Sequence, residues 1–206
     1  LESFLQHGFT SAGYFYDDVN FNKGFPTDEK AVHSIRQQSE AVYAILLYLK
    51  YEKSLGRKHV EWENHIKNIL DSFLKLQKEE GSFARKFHDD GEDKEAAISA
   101  VTANYYMASV TKGKERQRYI DLCQKAAYFA LSWYYLWDVP FAQGQMHGDL
   151  GLKTRGWGNV SVENNHIDVF VFELPHIVKW LSKQVNEPRF QQIYDVIFTS
   201  LSQLMP

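Results

Sequence analysis

Segments with helical periodicity constrain the fold of this chain more than any other feature. Apolar residues recur at three- and four-residue steps, a spacing that predicts α-helices. In the second segment, for example, Ile66, Ile69 and Phe73 share one stripe, and charged and amide side chains occupy the opposite face. The predicted helices cover residues 28–55, 59–79, 94–111, 114–136, 162–184 and 188–204. We therefore expect an all-α fold.

The predicted helices alternate between two kinds. Segments 28–55 and 94–111 are apolar or small-residue-rich on nearly all sides, which is typical of helices buried on most of their surface. A more amphipathic helix follows each of them after a short turn, and longer loops separate the pairs. The pattern predicts three consecutive α-hairpins in one domain over residues 28–206, with an inner and an outer layer, after an irregular lead-in at 1–27.

The fifth predicted helix carries two open alternatives. Pro175 lies inside it, so we expect either a kink or a break with a new helix start at that residue. The run 169–172 also fits a short strand. The loop before it, residues 138–161, contains five glycines and exceeds the roughly 12–15 residues beyond which ordered loops are usually functional.

Composition excludes several classes of protein. The chain has 206 residues, about one domain, and its 44% hydrophobic content excludes wholesale disorder. The single cysteine, Cys123, excludes an intrachain disulfide framework. With 23 basic and 26 acidic residues the chain has no broad cationic surface, so we expect no nucleic-acid partner. No run approaches the roughly 18–20 apolar residues that span a bilayer, so we expect no membrane span.

The N-terminal sequence does not have the pattern of a signal peptide. Residues 1–5 carry neither a basic region nor an apolar stretch, and the chain begins with Leu1 instead of methionine. We therefore expect a processed protein or a fragment of a longer chain. The sequence does not fix the compartment.

Two stretches, together with the hairpin alternation, resemble the α/α-toroid group of six-hairpin glycosidases and related sugar epimerases. Residues 76–87 form a helix end that leads into an aromatic and basic turn, and residues 156–166 form a Gly-Trp-Gly loop before a polar helix start. The resemblance implies a carbohydrate ligand near residues 80–94 and 138–165. Since this chain supplies three hairpins, it also implies half of a ring, completed by the rest of a parent chain or by a second copy.

The loop at 80–94 contains the residue types that a sugar-active enzyme uses for acid and base catalysis, stacking and hydroxyl binding. Asp89 is the candidate catalytic carboxyl, and Phe83 is a candidate stacking residue. The candidates for binding the sugar are Arg85 and His88. A pair of basic residues in this loop would form ion pairs with the carboxylate of an acidic sugar. The alternative is a solvated loop in which Asp93 caps the next helix.

The second loop supplies the other candidates. Trp157 lies between two glycines and is the candidate exposed platform for a pyranose ring. Glu163 is the second candidate acid or base, and Tyr105, on the third helix, is a candidate stacking residue whose alternative is core packing. The candidates for binding the hydroxyls of the sugar are Asn164, Asn165 and His166. The alternative for this stretch is an ordinary helix N-terminus, where acidic residues are favourable.

Three functions remain open at this point. A glycoside hydrolase would use Glu163 and Asp89 as acid and base, whereas a sugar epimerase would use His88 or His166 to abstract a proton. A non-catalytic helical scaffold or binding module would use neither pair. Nucleotide-binding, phosphate-loop and nucleophile-elbow motifs are absent, so we expect no cofactor. No histidine or acidic spacing supports a metal site strongly, and we expect none.

Overall fold

The computed structural model describes residues 2–10, 13–16, 34–83, 93–159, 167–168 and 173–204. The chain is mostly helical, which confirms the all-α fold class. The helices are α1 (Glu2–His7), α2 (Ile35–Ser54), α3 (Val60–Leu74), α4 (Lys94–Val110), α5 (Gly113–Leu131), α6 (Met146–Asp149), α7 (Pro175–Gln184) and α8 (Pro188–Leu201), and a 3₁₀ turn (Ser202–Leu204) follows. The strands are β1 (Gly158–Asn159) and β2 (Ile167–Asp168). The chain divides into two compact units, with the boundary after residue 126.

The first unit, residues 1–126, is organised around α2, which packs against both α3 and α4. Alanines fill much of the buried side of α4, and small side chains let a neighbouring helix approach closely. Asp93 begins α4, and its carboxylate accepts a hydrogen bond from the backbone N–H of Ala96 at 2.8 Å. The predicted N-cap at Asp93 is therefore confirmed.

A buried glutamine ties the N-terminal segment to α2. The side chain of Gln38 accepts a hydrogen bond from the backbone N–H of Phe15 at 3.0 Å and donates one to its carbonyl at 2.8 Å. Both backbone groups of Phe15 are thereby satisfied, and its side chain is buried as well. This pairing anchors residues 13–16 on the first unit.

The second unit, residues 127–206, contains the hairpin of α7 and α8 and a short antiparallel ladder. The backbone N–H of Tyr135 donates to the carbonyl of Trp157 at 2.9 Å, and the N–H of Gly156 donates to the carbonyl of Tyr135 at 2.8 Å. On the other side, β1 pairs with β2 through Gly158 opposite Asp168. The Gly-Trp-Gly stretch is therefore the central segment of this ladder.

The fifth predicted helix differs from the structure. Residues 167–168 form β2, so the expected helix over 162–184 is wrong there, and the strand alternative at 169–172 lies outside the described residues. The new helix start at Pro175 is confirmed. Proline has no backbone N–H to donate, and the first helical position needs none.

The fourth predicted helix is shorter than expected. It ends at Leu131 instead of near residue 136. Residues 133–135 leave the helix because their backbone groups bond to residues 156–159. No helix in the described ranges is both long enough and apolar enough to cross a bilayer.

Candidate functional site

The structure describes three of the predicted sugar-site residues. Trp157 is only 4% exposed and Phe83 is fully buried. The expectation that they offer exposed stacking faces is therefore wrong. Tyr105 is partly exposed on α4. The predicted catalytic and polar candidates lie outside the described residues and stay predictions: Glu163, Asp89, Arg85, His88, Asn164, Asn165 and His166.

The burial of Trp157 follows from its place in the ladder. Its backbone N–H donates to the carbonyl of Thr154 at 2.9 Å, and its carbonyl accepts from Tyr135. Thr154 is itself buried, and its hydroxyl accepts from the backbone N–H of Val139 at 2.6 Å. The backbone on both sides of Trp157 is held by hydrogen bonds. This stretch therefore has a structural role, and Trp157 does not offer an exposed ring for stacking.

A different candidate site lies along α2 and α4 in the first unit. On α2, Arg36, Glu40 and Tyr43 recur at four- and three-residue steps, which places them on one side of the helix. On α4, Glu95 and Tyr106 lie three helical turns apart and so share a side as well. We call this set of five residues the α2–α4 face.

Two contacts join the halves of the α2–α4 face. The guanidinium of Arg36 forms an ion pair with Glu95 across the two helices, and its Nε donates to Glu40 Oε1 at 2.7 Å. Farther along, the rings of Tyr43 and Tyr106 stack with centroids 6.0 Å apart and an interplanar angle of 24°. Because both contacts occur in the same order along each helix, α2 and α4 run parallel on this face.

The α2–α4 face is accessible to a ligand. The side chains of Arg36, Glu40 and Glu95 are 39%, 37% and 27% exposed. At a rise of about 1.5 Å per residue, the distance from the charged groups to the tyrosines is roughly 10–16 Å along the helices. The face therefore offers two carboxylates, one cation and an aromatic pair over an extended length.

Tyr105 lies at the edge of the α2–α4 face. Its ring meets that of Tyr106 edge-on, with centroids 5.1 Å apart. On the same side of α4, Ser99 and Thr102 lie between Glu95 and Tyr106, and both are almost fully buried. The predicted residue Tyr105 is thus beside a polar and aromatic surface.

Within the described residues, no group of three or more histidine, cysteine, aspartate or glutamate side chains is arranged to hold a metal ion. No family model, curated protein or solved structure matches the chain. The assignment of function therefore depends on the chemistry of the α2–α4 face and on the pattern of the sequence.

Sequence reasoning did not find Arg36, Glu40 and Glu95. Arg36 and Glu95 are 59 positions apart, so no local motif contains both. One signal was present: Arg36 and Glu40 are four positions apart in a predicted helix, the separation at which opposite charges pair on one helix.

Proposed function

We propose that this chain is a carbohydrate-active protein, part of a glycoside hydrolase of the α/α-toroid type, and that it binds a saccharide along the α2–α4 face. The observation that carries the proposal is the presence of two glutamates on one arginine together with a stacked tyrosine pair. Charged groups bind sugar hydroxyls by hydrogen bonds, and aromatic faces pack against the apolar faces of sugar rings.

The parallel arrangement of α2 and α4 supports the toroid part of the proposal. The sequence resemblance implies that inner helices line the sugar site, and the segments over 28–55 and 94–111 are the two most apolar ones in the first half of the chain. These segments correspond to α2 and α4, and the α2–α4 face is the polar, partly exposed side of both helices.

In this proposal the two glutamates of the α2–α4 face have a different role from the carboxyls that the sequence predicts as catalytic. Both contact the guanidinium of Arg36, so their carboxylates lie within the upper limit of about 9.5 Å that separates the two carboxyls of glycoside hydrolases. Ion-paired carboxylates serve as hydrogen-bond acceptors, whereas a general acid must carry a proton. We therefore assign Glu40 and Glu95 to hydroxyl binding, and Asp89 and Glu163 remain the proposed acid and base.

The test is a binding and cleavage screen of the protein against neutral and acidic oligosaccharides. Calorimetry measures binding, and the release of reducing ends measures cleavage. For a saccharide that binds, Tyr106→Ala and Glu95→Gln each weaken binding about tenfold or more, since each removes one element of the α2–α4 face. Glu63→Gln on α3, an exposed glutamate outside that face, is the matched control.

Two results contradict the proposal. One is that no saccharide in the panel binds the wild-type protein, and the other is that Glu63→Gln weakens binding as much as Glu95→Gln. Binding without any release of reducing ends supports a carbohydrate-binding role and contradicts the hydrolase part. Circular dichroism of each variant establishes that the helices remain folded.

A further inference from the structure

A cavity of about 460 Å³ lies in the second unit, between residues 153–155 and the C-terminal part of α8. Its volume falls within the roughly 300–1,000 Å³ that is typical of small-molecule sites. Most of its lining surface is apolar and includes Val196, and the polar groups come from Lys153, Arg155, Asp195, Thr199, Ser202 and Gln203. We call it the α8 cavity.

Backbone hydrogen bonds hold one wall of the α8 cavity in place. The N–H of Lys153 donates to Gln203 Oε1 at 2.7 Å, and the carbonyl of Lys153 accepts from Gln203 Nε2 at 3.1 Å. The N–H of Arg155 donates to Asp138 Oδ1 at 3.1 Å. The backbone from which the two cationic residues project is therefore held by the side chains of Gln203 and Asp138.

A glycine brings this wall against α8. Gly156 has a φ of +87°, and a Cβ at this position would lie 2.6 Å from Ser200 Oγ and 2.8 Å from the carbonyl oxygen of Val196. Both contacts are shorter than any real Cβ contact, so the close approach requires glycine at this position. Ser200, which Gly156 approaches, is buried and lines the α8 cavity.

The charges in the α8 cavity are unbalanced. Among the described residues, neither Lys153 nor Arg155 forms an ion pair, and both are exposed to the cavity and to solvent. The single carboxylate in the lining, Asp195, accepts a hydrogen bond from Gln191 at 2.8 Å. Two cations thus face one anion, and the negative end of the α8 dipole offsets only part of the difference.

We propose that the α8 cavity binds a small hydroxylated anion, that is, a sugar carrying one carboxylate or one phosphate group. Lys153 and Arg155 contact the anionic group, since a guanidinium fork matches the two oxygens of a carboxylate or phosphate. Thr199, Ser202 and Asp195 bind the hydroxyls. The proposal does not depend on the α2–α4 face, because none of its residues belongs to that face.

The test uses calorimetry of the whole chain with four probes: glucuronate, glucose 6-phosphate, glucose and inorganic phosphate. At least one of the two hydroxylated anions binds about tenfold more tightly than glucose and than inorganic phosphate. Its binding weakens as salt increases, because exposed charges are screened. Preference between glucuronate and glucose 6-phosphate identifies the anionic group as a carboxylate or a phosphate.

Variants locate the binding. Arg155→Gln and Lys153→Gln each weaken it about tenfold, and Thr199→Val weakens it less, because a neutral hydroxyl contributes less than a charged group. The control is Lys183→Gln, an exposed lysine on α7 that does not line the cavity.

Three results overturn the proposal. Neither hydroxylated anion binds, or inorganic phosphate binds as tightly as both, or Lys183→Gln weakens binding as much as Arg155→Gln. Either of the last two results would mean that the anion binds by general electrostatic attraction to the protein and not in the α8 cavity.

Discussion

The hydroxyl of Tyr119 on α5 donates a hydrogen bond to Asp71 Oδ1 on α3 at 3.0 Å. The same oxygen accepts a second bond, from Arg118 Nη1 at 3.0 Å. The side chain of Tyr119 is fully buried, and burial, together with the negative charge of Asp71, raises the pKa of its phenol well above the ordinary value. A partly buried polar contact therefore joins α3 and α5.

Replacing Tyr119 with phenylalanine removes this bond and leaves the ring in place. We expect Tyr119→Phe to lower the free energy of unfolding by about 1–2 kcal/mol in urea titrations at neutral pH, since the lost bond has a charged acceptor. Tyr51→Phe is the control, because Tyr51 is 60% exposed. Equal stability of the two variants would contradict this expectation.

The raised pKa of Tyr119 also predicts how stability depends on alkaline pH. The contribution is fully present below about pH 10, the unfolded value for tyrosine, and is lost as the pH rises toward the higher folded value. The Tyr119→Phe variant lacks this term. Its unfolding free energy should therefore fall less steeply above pH 10 than that of the wild type.

Gly156 and Gly151 form a matched pair for testing the close approach to α8. Both have positive φ, +87° and +71°, but a Cβ at Gly151 would meet nothing within 4 Å. We expect Gly151→Ala to cost about 1 kcal/mol for the backbone alone. Gly156→Ala should cost about 1–3 kcal/mol more, since it also forces atoms apart in a packed region. Similar thermal midpoints for the two variants would argue against the contact.

Trp157 and Trp137 test whether the Gly-Trp-Gly stretch is structural. Trp157 is 4% exposed and Trp137 is 68% exposed. We expect Trp157→Ala to lower the free energy of unfolding by about 3–5 kcal/mol, as for other large buried aromatics. Trp137→Ala should change it by about 0.5 kcal/mol or less. In a variant that keeps Trp157 as the only one of the five tryptophans, strong quenching of its fluorescence by iodide would contradict its burial.

The carboxyl of Glu187, the N-cap of α8, should remain ionised in moderate acid. Arg189 donates to it from the side chain and the backbone, and these bonds lower the pKa of Glu187 to about 2. Its stabilising contribution is present above the unfolded pKa of about 4.3 and is lost as the pH falls toward 2. Carboxyl ¹³C titration by NMR measures this value directly. Arg189→Gln should raise it, and Lys183→Gln should not.

Local signals predicted several helix boundaries. Asp93 accepts from the backbone N–H of Ala96, the third residue of α4, and Pro188 provides the preset backbone of a first helical position in α8. The prediction for α4, residues 94–111, differs from Lys94–Val110 by one residue. These boundaries could be predicted because the deciding atoms are close in sequence. The start of the first predicted helix was wrong: α2 begins at Ile35, after the N-cap Ser34, instead of at residue 28.

The features that could not be predicted depend on distant partners. Trp157 lies between two glycines, which predicts an exposed loop residue. Its carbonyl instead accepts a hydrogen bond from the backbone N–H of Tyr135, 22 positions earlier. The α2–α4 face needs the ion pair between Arg36 and Glu95, which exists only once two helices lie side by side. Periodicity predicts which side of a helix is apolar, but it does not predict which helix will be its neighbour.

The hydrogen bonds between Tyr135 and residues 156–157 close the base of the segment 136–155. The middle of that segment, residues 142–151, is exposed throughout, including the single turn of α6. Since the base is closed independently, doubling the length of the segment should cost only about 0.6 kcal/mol in closure entropy. The position is therefore suited to the insertion of a reporter peptide or a small domain, because the ladder would keep the two ends of the insert close together.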